Sequence, residues 1–490
     1  MIIGIDAGTS VVKAAAFSQR GEVLAVEGKR VKLHSPRSDC YEQDVEETLA
    51  AVGEVVRAVG RRSSEPVEAI GITGQGDGLW LVDEEGSQVR PAITWLDARA
   101  NPVVKEWMDS SLFETLFRRN GSVMFPGAPA PLMVALARSE PESLERAATA
   151  GYCKDVILQR LTGERASDAS DASEPFLNLR TRRYDPELLR LCGLEDYEHL
   201  LAPIDPSPGP MRPLNARGAE STGLPEGTPV HNGPFDLPAT AIGAGITQLG
   251  EGVIILGTTL ACQVLTDRPE PGDDEPGGQT LCALEPDRWL RAMPAMVGTA
   301  SLDWVLSLFG AKHADLEEIL AGSPPGARGV TALPFFSSSG ERAPFIDPFA
   351  RGQASGMNLS TTRADIVRAV CEGVAYAARH CLEAAGLEGE VAICGGGAES
   401  REWRQVLANV LGKPLRIARK PEVGARGAAM AALIAAEEDF DRAEWTRPEG
   451  YVEPDEGVAD LYEEGFSHYL ASIEVARGLW SRSPHARMPL

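Results

Sequence analysis

The chain has 490 residues, with 47 lysines and arginines against 71 aspartates and glutamates, a formal net charge of −24. Hydrophobic residues make up 43% and charged residues 24%, a globular balance that excludes fibrous, collagen-like and wholly disordered chains and, at roughly 100–200 residues per domain, allows two or three domains. The acidity (pI near 4.8) repels phosphate backbones and anionic lipid, so neither nucleic acid nor a membrane surface is an expected partner, and an anionic ligand needs a local device to hold it.

In chain order, residues 2–5 read as a buried strand ending in Asp6-Ala7-Gly8-Thr9-Ser10, with strands at 11–17 and 22–26 after it. Residues 44–59 have helical spacing, with Glu46 and Glu47 in the first turn. A buried strand at 67–73 leads into Gly74-Gln75-Gly76-Asp77-Gly78 and a further strand at 79–82. Helices are expected at 131–138, 141–150 and 152–161, and a polar loop at 166–173.

Near residue 250 the opening pattern returns. IIGIDAGTSVVKAAAF and GVIILGTTLACQVLT both read as apolar strand, Gly-Thr-(Ser/Thr) turn, apolar strand. Such a repeat suggests a duplicated fold with a ligand between the halves. The boundary is expected near 247–252, and PEPGDDEPGG (269–278) reads as a loop inside the second half. Residues 437–457 shift to charged, Pro-containing composition, and 461–479 regain helical spacing.

Four segments carry candidate chemistry. Asp6, Thr9, Ser10 and Lys13 offer a carboxylate, hydroxyls, turn amides and a cation, a set that suits phosphate and magnesium. A ligand-free hairpin is the plainer reading of one copy; the second, Gly257-Thr258-Thr259, favours phosphate, although it lacks the Asp. Asp236, before a helix of small residues, is either its N-cap or a general base for a hydroxyl nucleophile. Cys394-Gly395-Gly396-Gly397 lies between a strand and a helix beginning at Ser400, and reads as a nucleotide-approach turn or an unliganded loop. Gly76, Asp77 and Trp95 place polar groups beside an aromatic, which suits a sugar or polyol, although a turn with core tryptophans is the plainer reading of that segment alone. Neither GxGxxG nor GxxxxGK[ST] is present.

The eight cysteines are scattered without CxxC and read as reduced, buried thiols. With no signal-like N-terminus and no long apolar run, a cytoplasmic protein is expected, and the sequons at Asn120 and Asn358 are read as chance.

Taken together, GIDAGTSVVKAAAF, YEQD (41–44), GITGQGDGLWLVD, RPAITWLDARA, KDVILQRLTG, GPFDLPATAIGAGI, LGTT, GMNLSTTRADIVRAVCEGVAYA, ICGGGAESREW and GARGAAMAA resemble, in order and spacing over residues 1–436, the FGGY family of carbohydrate kinases. The resemblance implies an α/β chain of two actin-like (ribonuclease H-like) domains, a hexokinase/Hsp70-type duplication around a cleft, at 1–247 and 248–436, with an extension at 437–490. It implies ATP and Mg2+, and a small sugar or polyol as acceptor. It implies that Asp236 is the catalytic base, that Asp6 and Asp236 associate with the metal, and that Asp6, Thr9, Ser10, Lys13, Gly257, Thr258, Thr259, Gly396, Gly397 and Ser400 hold the nucleotide. Gly76, Asp77, Trp95 and Asp236 would form the substrate pocket. Gly76-Asp77 stands where glycerol kinases carry Arg-Glu and common xylulokinases Met-His. With Lys154-Asp155 and FLNLRTRRYD, this form is most similar to the erythritol kinases, then to the L-xylulose kinases. Erythritol is the expected substrate and a D- or L-xylulose kinase the alternative. A non-catalytic, ATP-binding conformational protein of actin or Hsp70 type is the alternative from another class, and a homodimer is possible.

Overall fold

The computed structural model describes residues 1–63, 65–271 and 275–482. Strand Ile2–Ala7 pairs antiparallel with Val11–Phe17, and Val23–Arg30 completes a three-stranded meander. On the other side of Ile2–Ala7, Ala69–Gly74 and then Pro229–Asn232 add in parallel, with Met211–Pro213 antiparallel at the edge.

The second sheet repeats this order. Gly252–Leu256, Leu260–Thr266 and Trp289–Ala295 form the meander, and Val391–Cys394 and Leu415–Ile417 add in parallel beside Gly252–Leu256. The repeat seen in the sequence is therefore a repeat of topology, the duplicated α/β, actin-like architecture. In each half the C-terminal ends of the parallel strands lie together, which is where open α/β sheets bind their ligands. These ends carry residues 8–10, 75–77 and 233–236 in the first half, and 257–259 and 395–397 in the second.

Helix Val45–Arg62 follows the local rules: Asp44 accepts the Glu47 amide at 2.8 Å as N-cap, acids begin it and arginines end it. The joint between the halves is made by two small-residue helices, Asp236–Gly243 and Val423–Ala435. A Cβ on Gly427 would lie 1.8 Å from the Ala239 carbonyl, and one on Gly71 2.0 Å from that of Ala428. Only glycine permits such backbone approach, so helix Val423–Ala435 is clamped between the first sheet and the helix that begins at Asp236.

Two expectations are corrected. The helix read at 141–150 stops at Arg146, and Thr149–Gly151 pairs as a strand with Trp80–Val82. The "polar loop" at 166–173 is largely buried and contains helix Ala169–Ala172, capped by Asp168, because the fully buried Lys154 ammonium draws Asp168 (2.7 Å) and Asp171 (3.3 Å) inward along with Asp155 (2.8 Å). The charged stretch after 437 is woven into the body: Trp445 is buried against Phe17, its indole donating to the Gln19 carbonyl, and Gly450–Val452 joins the second sheet. Helix Ala459–Trp480 packs back as expected, with Tyr469 and Trp480 against Phe335. Part of the loop read at 269–278, and the chain beyond 482, lie outside the described residues.

Candidate active site

Asp236 leaves strand Pro229–Asn232 through a constrained bend. The Thr73 hydroxyl donates to the Pro234 carbonyl at 2.7 Å, and the Phe235 amide donates to the Ser170 hydroxyl at 3.1 Å. Asn232 is tied to Asp155 at 2.9 Å, which joins the bend to the Lys154 cluster. The N-cap of the following helix is Phe235, and no side chain caps it, so Asp236 is the first helical residue and its carboxylate is not consumed by the cap.

Asp6, Asp77 and Asp236 are all partly buried, and Asp6 and Asp77 lie near enough to Asp236 for their charges to act on it. Burial, then the charges of Asp6 and Asp77, push Asp236 up to about 8, against a hydrogen bond from the Leu237 amide at the helix start. Burial pushes Asp77 up to about 7, against the pull of Arg342 and of a hydrogen bond from Gln279. Asp6 rises to about 6, mainly by burial, with Lys13 opposing and Glu422 assisting. Three carboxylates so placed resist ionising together; Arg342 acts on Asp77, and the nearby Lys13 is already paired with Glu422 at 2.9 Å. A divalent cation fits this deficit. Magnesium takes one or two carboxylates and completes its shell with phosphate oxygens and water, and among the described residues no group of three or more His, Cys, Asp or Glu forms a closed cage.

The first hairpin is wired to the pocket rather than left free. Thr9 Oγ1 accepts the Trp95 indole N–H at 2.9 Å and donates to Gln75 Oε1 at 2.9 Å. Gln75 donates to Gln43, which donates back to the Thr9 carbonyl. Ser10 and Thr258 are exposed at their turns, and Gly8 and Gly257 close those turns through their amides. Gly397 packs on Leu256 and Thr299, so the glycine turn abuts the second hairpin, and Gly396 faces open space. Ser400 caps helix Arg401–Leu411, accepting the Trp403 amide at 3.1 Å, a structural use that the sequence reading had not assigned.

Gly76 has a defined packing role: a Cβ there would lie 2.3 Å from the Phe235 ring. Trp95 is half-buried at the pocket, whereas Trp80 is a core residue. Sequence reading missed Glu174, Gln279 and Arg342. Buried Glu174 accepts from Gln279 of the second half, and the Arg342 guanidinium lies over Phe125 (4.8 Å) and Trp95 (5.6 Å). No motif flags these residues; the two halves must fold together before they meet.

A duplicated actin-like fold with carboxylates at adjoining strand ends and hydroxyl-bearing hairpins in both halves defines a phosphotransferase of the sugar-kinase type. The models of the FGGY carbohydrate kinases, N-terminal and C-terminal domains, match residues 1–243 and 252–436, and the chain belongs to that family. It is 32% identical to the erythritol kinase of Brucella abortus (strain 2308) over 98% of this chain and 97% of that one. It is also 32% identical to the xylulose kinase of Escherichia coli (strain K12) over 89% and 90%. The crystal structure of xylulose kinase from Rhodospirillum rubrum superposes with a TM-score of 0.89 at 27% identity, covering 98% and 99%. The chain is thus a carbohydrate kinase that phosphorylates a sugar or polyol hydroxyl with ATP, which sets aside the non-catalytic alternative. Among the described residues no helix is long and apolar enough to cross a membrane.

Proposed function

We propose that this kinase phosphorylates a primary hydroxyl of a short polyol, erythritol in the first instance, with Asp236 as the base. The observation that carries the reading is the Asp236 carboxylate, uncommitted to its helix cap, beside Asp77 and the Phe235-filled position 76. The Phe235 ring takes the space that a larger residue 76 would fill, and on this reading that exchange is what adapts the site to a four-carbon substrate.

In this reading residues 1–247 hold the acceptor, 248–436 the nucleotide, and 437–482 brace both. Asp236 orients the hydroxyl and takes its proton as the oxygen attacks the γ-phosphorus and the bridging bond to ADP breaks. Positioning and charge stabilisation supply most of the acceleration in such transfers. Turn amides and the hydroxyls of Ser10, Thr258 and Thr259 receive the phosphates. Thr9 positions Trp95, and Gly396 and Gly397 leave room for the nucleoside. Asp6 and Asp236 would hold Mg2+, which neutralises charge on the transferring phosphoryl group when bound. Closure of the halves excludes water as a competing acceptor.

A coupled ADP-release assay over erythritol, glycerol, L-xylulose, D-xylulose and D-ribulose tests the assignment. The highest kcat/KM is expected on erythritol; a higher value on either xylulose would replace the polyol reading by the pentulose kinase reading.

A further inference from the structure

Arg342 is anchored wholly in the second half. Before it, buried Glu341 accepts the amides of Met296 (2.7 Å), Arg342 (2.8 Å) and Ala343 (3.4 Å), which fixes the loop. The Arg342 Nε donates to the Pro294 carbonyl at 2.8 Å. Its guanidinium then crosses to the first half and lies over Phe125 and Trp95. Among the described residues no protein group hydrogen-bonds its two terminal nitrogens, although the charges of Asp77, Glu341 and Glu174 all bear on it. Glu174 is 2% exposed; one of its oxygens accepts from Gln279, and the other, Oε1, is buried with no partner. Guanidinium donors left open in the second half and a buried, unpartnered carboxylate oxygen of the first thus bear on one another across the two halves.

A buried polar atom without a partner, as Glu174 Oε1 is, is costly, and a ligand that engages it or the partly exposed Arg342 nitrogens is bound with corresponding selectivity. A hydroxyl satisfies both kinds of group, accepting from Arg342 and donating to Glu174 or Asp77. A carboxylate can only accept, and it would lie among Asp6, Asp77, Glu174 and Asp236, where burial already disfavours every negative charge. We propose that Arg342 of the second half contacts the acceptor substrate directly and, with Glu174 and Asp77 of the first, restricts the pocket to uncharged, vicinally hydroxylated substrates and excludes sugar acids. This rests on the sugar-kinase reading of the same pocket. Because Arg342 and Glu174 sit on opposite halves, the bridged hydroxyls also hold the cleft closed.

The test uses the full chain with erythritol and its four-carbon acid, erythronate, and the variants Arg342→Lys and Glu174→Gln. The expected result is a preference of at least about 100-fold in kcat/KM for erythritol over erythronate. Arg342→Lys should raise the KM for erythritol by about 10–100-fold, the loss of hydrogen bonds to a charged group, while ATP affinity and thermal stability stay near those of the parent. Glu174→Gln should narrow the gap between erythritol and erythronate. Should the parent accept erythronate as readily as erythritol, or should folded Arg342→Lys keep the erythritol KM within twofold, the inference is overturned while the kinase reading stands. Should the parent phosphorylate no polyol, ketose or sugar acid, the kinase reading fails and takes the inference with it.

Discussion

The hydroxyl of Thr9 and the indole N–H of Trp95 meet at 2.9 Å. One residue belongs to the first hairpin turn and the other to the substrate wall, so the two candidate sites share a hydrogen bond. Thr9 also donates to Gln75, which closes a ring through Gln43 back to the Thr9 carbonyl.

Thr9→Val keeps the shape of the turn and removes both bonds of the hydroxyl. The partly buried Trp95 N–H and Gln75 Oε1 are left unsatisfied, at about 1–3 kcal/mol. The KM values for acceptor and for ATP should rise together, and the Trp95 fluorescence response to acceptor should weaken. Steady-state kinetics and fluorescence titration check this; a change confined to the ATP KM would show that the ring does not couple the two sites.

Gly76 and Phe235 occupy one space between them. Gly76→Met overpacks against the ring, at about 1–3 kcal/mol of stability. Phe235→Gly opens a void instead, at about 3–5 kcal/mol by analogy with Phe→Ala. The double variant should recover much of both losses and move the preference towards five-carbon ketoses. Chemical denaturation of the three variants and a substrate panel check the expectation; additive losses would show that the two positions are independent.

His231 is buried beneath the bend to Asp236 and pairs through Nε2 with the Pro208 carbonyl at 2.7 Å. Burial pushes its pKa down to about 4 from the usual 6.5. The unfolded chain binds a proton that the folded chain refuses, so this contribution is fully present above 6.5 and is lost as pH falls towards 4. By pH 5 about 2 kcal/mol of it is lost. His231→Gln, which keeps a donor for Pro208, should remove that slope between pH 7 and pH 5. Denaturation at the two pH values checks the difference between variant and parent; equal slopes would refute it.

The strand-end segments are legible in the sequence because apolar runs broken by Gly, Asp and Thr leave little else for those residues to do. The duplication is legible for the same reason, at GIDAGTS and LGTT. What cannot be read is what side chains meet. Lys13 shows as a cation, but its pairing with Glu422 depends on a helix more than 400 residues away. The run at 166–173 shows as polar, yet Lys154 draws its aspartates into the interior. Arg342, Glu174 and Gln279 carry no spacing pattern and become neighbours only when two halves close on one another. The overall charge of −24 is likewise uninformative about phosphate. The turn amides and hydroxyls suited to phosphate add nothing to that balance, and the acidic cleft floor matches the cation that accompanies a nucleotide rather than the nucleotide itself.

The central claim is that Asp236 takes the proton from the acceptor hydroxyl, and the most direct measurement is the turnover of Asp236→Asn with saturating ATP, Mg2+ and erythritol, beside its affinity for ATP. The account predicts a fall in kcat of at least about 100-fold, within the usual worth of general-base catalysis, with ATP still bound. Turnover within a few fold of the parent, in a folded variant that binds ATP normally, would contradict it.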